Sequence, residues 1–534
     1  MAILLKNGLI ADGSGNECFR GSIIIKNERI GAVIKGDAPE FNGQIIDCSG
    51  LVIAPGFIDG HSHNDWFAEK KNAVPYFKPF AEQGITSFVA GNCSFSVAGH
   101  IKDFPYEESV LAGPLGTGEG NGEYADISDW FDYIHRRVPL NIASCWGHGT
   151  ARLSMVGMSV APLSPEDLKT LYGLLERALD QGACGASIAL MYAPGMFAPK
   201  AELMGIARIV KQYDKILTIH PRAQAYYTPA YPVVPGGTPH NMLALEEVIE
   251  FGKETGCRVQ YSHAVMMGTK TWETNDAFLE RITSARNEGV DIAFDLYSLD
   301  FGASMITFIM PEWFQALGDK MMLPENLEKF RAEFTENEKM LGFGFKNIII
   351  AAGANIEEYC GRDIISIAAE MGAEPFDAYI ELVKRCNGIG SILMTSYYND
   401  DIICRQAKHP NSSFMTDAWV EDIKVKNPHV YAGYPRFLEL SRSGKGPDLQ
   451  TTIRKMSGAV ADRFQLKDRG YLKEKCFADI TVFDFDGVKT HVDVFQKSEG
   501  VKYVFVNGHL AVTDDTADGQ ALAGAGHAMR VLKK

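Results

Sequence analysis

From residue 55 to about residue 460, apolar runs of strand length alternate with stretches of helical periodicity, and few folds accept that pattern. One helical stretch is Ser164-Pro-Glu-Asp-Leu-Lys-Thr-Leu-Tyr-Gly-Leu-Leu-Glu-Arg-Ala-Leu, with Ser164 placed to cap its first turn. Alternation of this kind predicts a parallel sheet whose crossovers are helices. Strand candidates end near Asp59, Gly91, Trp146, Ala189, Ile219, Ser262, Leu296 and Thr416. Eight is the number that closes a (β/α) barrel, whereas six or nine would favour an open sheet. The interval from about 302 to 350 is too long for a simple connection, so an inserted subdomain or lid is expected after the seventh strand, over the active face.

The flanks have a different texture. Short alternating segments such as Ser22-Ile-Ile-Ile-Lys and Arg29-Ile-Gly-Ala-Val-Ile come before residue 50, and Ala478-Asp-Ile-Thr-Val-Phe-Asp and Val501-Lys-Tyr-Val-Phe-Val-Asn-Gly come near the end. Gly, Asn and Asp turn signals separate them. The expected organisation is a β-sandwich built from residues 1–54 and 461–534, around a barrel spanning 55–460. Two independent flanking modules are the other arrangement that fits.

Composition narrows the function classes. With 46% hydrophobic and 22% charged residues in 534, the chain is globular and has length for one large core and a smaller one. A formal charge of -15 argues against nucleic acid or an anionic membrane as partner, since both call for clustered Lys and Arg. A small-molecule substrate is expected, and the oligomeric state is open. Ten scattered cysteines in so large a chain are expected to be free thiols. No basic leader precedes a long apolar stretch, and no run of about 18 apolar residues occurs, so a cytoplasmic protein is expected.

Polar residues gather where the predicted strands end: His61 and His63, Asn92 and Cys93, His148, His220, His263 and Asp417. In a barrel those ends converge on one face, so residues far apart in sequence meet. His61 and His63, two apart on an extended segment, project to one side and can reach one ion. Singly, each residue has an ordinary reading: a surface histidine pair, a packed thiol, a hydrogen-bonded core histidine, a helix cap at Asp417. Jointly, Cys93, His220 and His263 offer tetrahedral zinc one sulfur and two nitrogens, leaving a position for water or substrate. A carboxylate at Asp417 is then placed to take a proton from metal-bound water and pass it to a leaving amine.

The segments Pro55-Gly-Phe-Ile-Asp-Gly-His-Ser-His, Gly91-Asn-Cys-Ser-Phe-Ser, Gly147-His-Gly-Thr-Ala-Arg, Thr218-Ile-His-Pro-Arg, Tyr261-Ser-His, Phe294-Asp-Leu-Tyr, Asp468-Arg-Gly and Ala478-Asp-Ile-Thr-Val-Phe-Asp resemble the amidohydrolase superfamily. Within it, the Gly-Asn-Cys and Gly-His-Gly-Thr-x-Arg segments resemble the N-acyl-D-amino-acid deacylase (D-aminoacylase) family. The resemblance implies zinc held tightly by Cys93, His220 and His263, a weaker second position beside His61 and His63, and Asp417 as general base and acid. It implies hydrolysis of a linear amide, and it places Tyr192 and Tyr297 near the substrate. His148 is expected outside the metal shell, in a supporting role.

Two departures bear on specificity. The family commonly has Lys two residues after the sixth-strand histidine, where it is expected to help hold a substrate carboxylate, and this chain has Val265. Arg222, two residues from His220, is the candidate to replace it, with a structural ion pair as its ordinary alternative. The second departure is Asn427-Pro-His429, where the family usually reads His-Pro-Arg. Hydantoinases and dihydropyrimidinases use a carboxylated Lys on the fourth strand, but Gly185-Ala-Ser-Ile-Ala-Leu-Met-Tyr contains none, so cyclic-amide hydrolysis is the alternative within enzymes. A barrel that has lost catalysis and serves as a binding module is the alternative outside them, and it predicts damaged ligands.

Overall fold

The computed structural model describes residues 2–102, 106, 124–420, 427–491 and 496–533. Eight strands, Phe57–Asp59, Ile85–Ala90, Asn141–Gly147, Gly185–Ala189, Ile216–His220, Arg258–Tyr261, Ile292–Leu296 and Ser412–Phe414, lie in that spatial order and pair in parallel. Their ends fall where the apolar runs predict. Each strand is buried along almost its whole length, because helices cover the outer surface and side chains fill the inside, and this explains why they read as continuous apolar runs.

The first and eighth strands are joined by side chains. The Asp59 carboxylate accepts the backbone N–H of Thr416 at 3.0 Å and that of His61 at 3.2 Å. The Tyr434 hydroxyl lies 2.7 Å from the carbonyl of Ile58 and 3.0 Å from that of Phe414. Asp417 N–H then donates to His61 O at 2.9 Å. The seam of the barrel is therefore tied at the end where the polar residues gather.

The helices follow the expected chemistry. Ser164 accepts the N–H of Asp167 at 3.1 Å at the start of the helix Pro165–Asp180, with Pro165 at the first helical position, where no N–H is needed. Leu171, Leu174, Leu175, Ala178 and Leu179 form the buried stripe of that helix. Each buried leucine contributes about 2 kcal/mol of burial free energy, so the stripe rather than the cap sets the helix's stability.

Strands from both termini form one nine-stranded sheet. Its first strand, Ala2–Ile10, pairs antiparallel with Phe19–Lys26 on one side. On the other side it pairs in parallel with Gln44–Asp47 and then with Val52–Pro55. Ile480–Phe483 continues the sheet antiparallel to Val52–Pro55, so the chain's end is stitched to its beginning. Leu5, Ile23, Ile53, Ile480 and Phe505 share a core of their own. Buried Arg469 pairs with Asp479 and bonds Asn507 at 2.9 Å, and Asn507 donates to Asn141 at the start of the third barrel strand at 2.7 Å. That network fixes the sheet beneath the barrel.

The inserted unit runs past the expected end near 350. Gly302–Met305, Ile348–Gly353 and Gly390–Met394 form a three-stranded antiparallel sheet with Gly390–Met394 in the centre, and helices Pro324–Leu341, Ile364–Met371 and Pro375–Arg385 pack around it. The central strand comes last in sequence, so the unit cannot close before residue 390. No helix among the described residues is long and apolar enough to cross a membrane.

Candidate metal centre and reaction cavity

Cys93 sits just past the second strand, in a loop whose shape is set by its neighbours. Gly91 adopts φ 69°, and a Cβ there would fall 2.2 Å from the carbonyl oxygen of Cys145, so only glycine fits. Ser187 on the fourth strand donates to Gly91 O at 2.6 Å and accepts Ser94 N–H at 3.0 Å. Ser94 Oγ accepts Gly149 N–H at 2.6 Å. Cys93 itself has φ 50°, His263 φ 36° and Asp417 φ 48°. Left-handed backbone at three non-glycine residues costs about 1–3 kcal/mol each, a strain that surrounding contacts must offset and that aims all three side chains into one space.

There the thiol meets three rings. Cys93 Sγ lies 3.2 Å from Nε2 of His61, 3.4 Å from Nδ1 of His220 and 3.5 Å from Nε2 of His263. Asp417 Oδ1 lies 3.3 Å from His61 Nε2 and 3.1 Å from His63 Nε2. Among the described residues these form two metal-capable groups sharing the thiol: Cys93, His220 and His263, and His61, His63, Cys93 and Asp417. Zinc bonds of about 2.3 Å to sulfur and about 2.0–2.1 Å to nitrogen give tetrahedral sulfur–nitrogen edges of about 3.6 Å, so the spacing of the first group fits that ion closely.

Burial governs the electrostatics. It pushes the Cys93 thiol well above its ordinary value, with Asp417 and Asp295 adding to the effect. It holds His61, His220 and His263 below the ordinary imidazole value, so they offer neutral nitrogen lone pairs. Burial also works against the Asp417 carboxylate, but His61, His63 and His263 outweigh it and hold that group well below the usual carboxylate range. A protonated thiol amid neutral imidazoles becomes a thiolate only when a cation replaces the proton, which is the behaviour of a metal site.

Supporting contacts set ring orientation. The Gln224 side-chain amide lies 2.7 Å from His263 Nδ1, leaving Nε2 to face the thiol. Asp295 accepts His263 N–H at 2.5 Å and Gln260 Nε2–H at 3.1 Å, and stands 3.9 Å from His61 Nδ1. Burial raises the Asp295 carboxyl to about 7. Gln224 is a support that sequence reasoning missed, and Asp59 and Asp295 appear there only inside motifs and, for Asp59, as a strand end. Asp295 is the last residue but one of the seventh strand, and position next to a strand end is the signal that marks it. Nothing local marks Gln224.

The other expected residues have distinct positions. Tyr297 donates to Asp417 Oδ2 at 2.8 Å, and Tyr192 packs its ring 4.5 Å from that of His220 while its hydroxyl lies 2.8 Å from Ser304 Oγ of the inserted sheet. Arg222 is engaged by Glu247, with Nε 3.0 Å and a terminal nitrogen 2.9 Å from its oxygens, and lines a neighbouring cavity rather than the one above the cluster. His148 lies outside both metal-capable groups and pairs with Glu202 at 2.8 Å, beside Arg152. The cavity above the cluster is lined by His63, Cys93, Tyr192, Ser304, Asp417 and Trp419, among others.

No protein-family model matches the chain. Over 95% of its length it is 29% identical to N-acyl-D-glutamate deacylase of Alcaligenes xylosoxydans xylosoxydans, covering 92% of that protein. It is 27% identical over its full length to D-aminoacylase of the same organism, covering 97%. The crystal structure of N-acyl-D-glutamate deacylase from Bordetella bronchiseptica, complexed with zinc and a phosphonate inhibitor, matches with a TM-score of 0.80 at 27% identity over 99% of both chains. Along its whole length, and with a thiol and four histidines converging at one end of the barrel, the chain is thus similar to N-acyl-D-amino-acid deacylases.

Proposed function

We propose that the chain is a zinc-dependent hydrolase of linear amides, releasing a carboxylate and an amine from an N-acyl-D-amino acid or a related N-acyl compound. The observation that carries this reading is Asp417, whose carboxylate stands at the point where the thiol and histidines converge, oriented by Tyr297. Cys93, His220 and His263 hold the principal ion, and His61 and His63 serve a second, weaker position. When bound, zinc polarises the amide carbonyl and lowers the pKa of water toward about 7.

The chain's own groups do the rest. Asp417 Oδ1 takes the proton from the attacking water and later delivers it to the departing nitrogen. Tyr297 fixes the rotation of that carboxylate through Oδ2, so Oδ1 keeps its aim during both transfers. Tyr192 and Ser304 close the side of the cavity under the inserted sheet, which keeps bulk water away. A cytoplasmic setting belongs to the same proposal, since all ten cysteines are free thiols, as suits a reducing compartment.

The test is a zinc-controlled assay on N-acyl-D- and N-acyl-L-amino acids, uncharged N-acyl amides and hydantoins, with Asp417→Asn alongside. Acid and amine release from linear compounds, lost in the variant, is expected. Turnover of hydantoins alone would transfer the assignment to cyclic amides.

A further inference from the structure

The barrel has a second polar cavity at the end opposite the metal centre. Its wall is built where the sixth, seventh and eighth strands begin, beside Arg258, Asp291 and Ser412, and from the helices Leu449–Met456 and Gly458–Phe464. It holds about 700 Å³ of empty space including its mouth. No member of either metal-capable group lines it.

The charge of this wall is one-sided. Among its described residues Arg258, Arg286, Arg454 and Arg463 face two carboxylates, Asp291 and Asp462. Asp291 alone serves three of the guanidinium groups: Oδ1 lies 2.5 Å from Arg463 Nη1 and 3.1 Å from Arg286 Nη1, and Oδ2 lies 3.2 Å from Arg258 Nε. Asp462 is divided between Arg454 Nη2 at 3.0 Å and the Tyr471 hydroxyl at 2.6 Å. Asp214, outside the wall and largely exposed, stands 3.7 Å from Arg258 Nη2. One carboxylate cannot neutralise three guanidinium groups, so positive charge is left over here, in a chain whose formal net charge is -15.

The arginines divide by role. Arg463 is the floor: Nε donates to Gln260 Oε1 at 3.2 Å, Nη1 to Asp291 and Nη2 to the Val259 carbonyl, so every nitrogen is engaged. Burial lowers its pKa to about 10; Asp291 opposes the fall, and Arg258 and Arg286 add to it. Arg258 and Arg286 have more to offer. Arg258 spends Nε on Asp291, while its Nη1 is buried without a hydrogen-bond partner, a costly state for a charged donor. Arg286 spends Nη1 on Asp291 and on the Ile292 carbonyl, at 3.1 Å and 2.9 Å.

A planar guanidinium fork matches a tetrahedral oxyanion with two parallel hydrogen bonds, and a cleft lined by one sign of charge concentrates ions of the other. A phosphate group carries a charge of about -2 near neutral pH, which offsets the excess of guanidinium over carboxylate in the wall. We propose that this cavity is a phosphate-binding site separate from the reaction centre: Arg258 and Arg286 hold the oxyanion, and Arg463 with Asp291 keeps those two groups in place. The ligand is free phosphate or the phosphate group of a small monoester.

Calorimetric titration of the zinc-loaded full chain with inorganic phosphate and with glycerol 3-phosphate, at ionic strength held constant with chloride, should show saturable binding, and the tighter of the two names the source. Arg258→Gln and Arg286→Gln each leave Asp291 two other cations, so both variants should fold, which melting curves check. Each should raise the Kd at least about tenfold, the loss expected for a hydrogen bond to a charged group, with zinc content unchanged. Phosphate held by the zinc instead would keep its affinity in both folded variants, and that result overturns the proposal, as does the absence of saturable binding by either compound. Modification by phenylglyoxal, mapped by peptide mass, needs no variant: phosphate should protect Arg258 and Arg286 in the wild type, and equal modification with and without phosphate overturns the proposal.

Discussion

Tyr297 donates its phenol hydrogen to Oδ2 of Asp417 at 2.8 Å, leaving Oδ1 as the oxygen that faces His61 and His63. A hydrogen bond to a charged group contributes about 1.5–3 kcal/mol, so Tyr297→Phe should lower kcat by about 10–100-fold. Zinc content should be unchanged, because Tyr297 belongs to neither metal-capable group. Asp417→Asn should lower kcat by at least about 10²–10⁴-fold. Steady-state kinetics with metal analysis of each variant checks both.

Sharing of Cys93 between two groups separates the ligands into classes. Cys93→Ala should abolish tight zinc binding altogether, whereas His61→Asn should weaken only the second position. Metal content after exhaustive dialysis reads the difference. Equal loss in the two variants would contradict the assignment of His61 to the weaker position.

Asp417 belongs to the second metal-capable group, while the proposed mechanism also asks it to carry the proton. Titration of metal-free protein should therefore raise activity up to about one equivalent of zinc and lower it beyond, as the second ion ties up the carboxylate. Turnover measured against free zinc checks this, and in His63→Ala the inhibitory phase should shift to higher zinc.

Gln224 touches His263 on the nitrogen away from the thiol. Partners of this kind are worth about 10–100-fold in metal affinity, so Gln224→Leu should weaken zinc binding within that range and leave the other ligands in place. Competition with a chromogenic chelator measures it.

His409 should make stability depend on pH far from the active face. Its Nδ1 accepts Asn411 N–H at 3.3 Å and its Nε2 lies 3.0 Å from Thr283 Oγ1, contacts that suit the neutral ring. Burial, with Lys455 nearby, lowers its pKa to about 4. Between that value and about 6.5 the unfolded chain binds a proton that the folded chain refuses, so stability falls as pH drops through this window. The loss approaches about 2–3 kcal/mol near pH 4. Urea unfolding at several pH values should show a shallower fall in His409→Gln than in the wild type.

The eight barrel strands were legible because each is buried on both faces and reads as an apolar run, and because polar residues follow them where the strands end. The extent of the inserted unit was not. Its central strand, Gly390–Met394, is a short apolar run like those of the barrel, and only its pairing with Gly302–Met305 and Ile348–Gly353 places it outside the barrel.

For the site, the sequence by itself determined which residue types stand at the strand ends: the thiol, the four histidines and the carboxylate, with their chemistry. Local patterns carry that much because strand direction dictates which end of each strand faces the site. Only the tertiary structure decided how these residues divide. It made Cys93 common to two groups, put Asp417 with His61 and His63, gave Gln224 to His263, and committed Arg222 to Glu247. Those pairings depend on distances from 2.7 Å to 3.5 Å between residues tens to hundreds of positions apart, fixed by barrel closure and by left-handed backbone at Cys93, His263 and Asp417, and no local pattern encodes such distances.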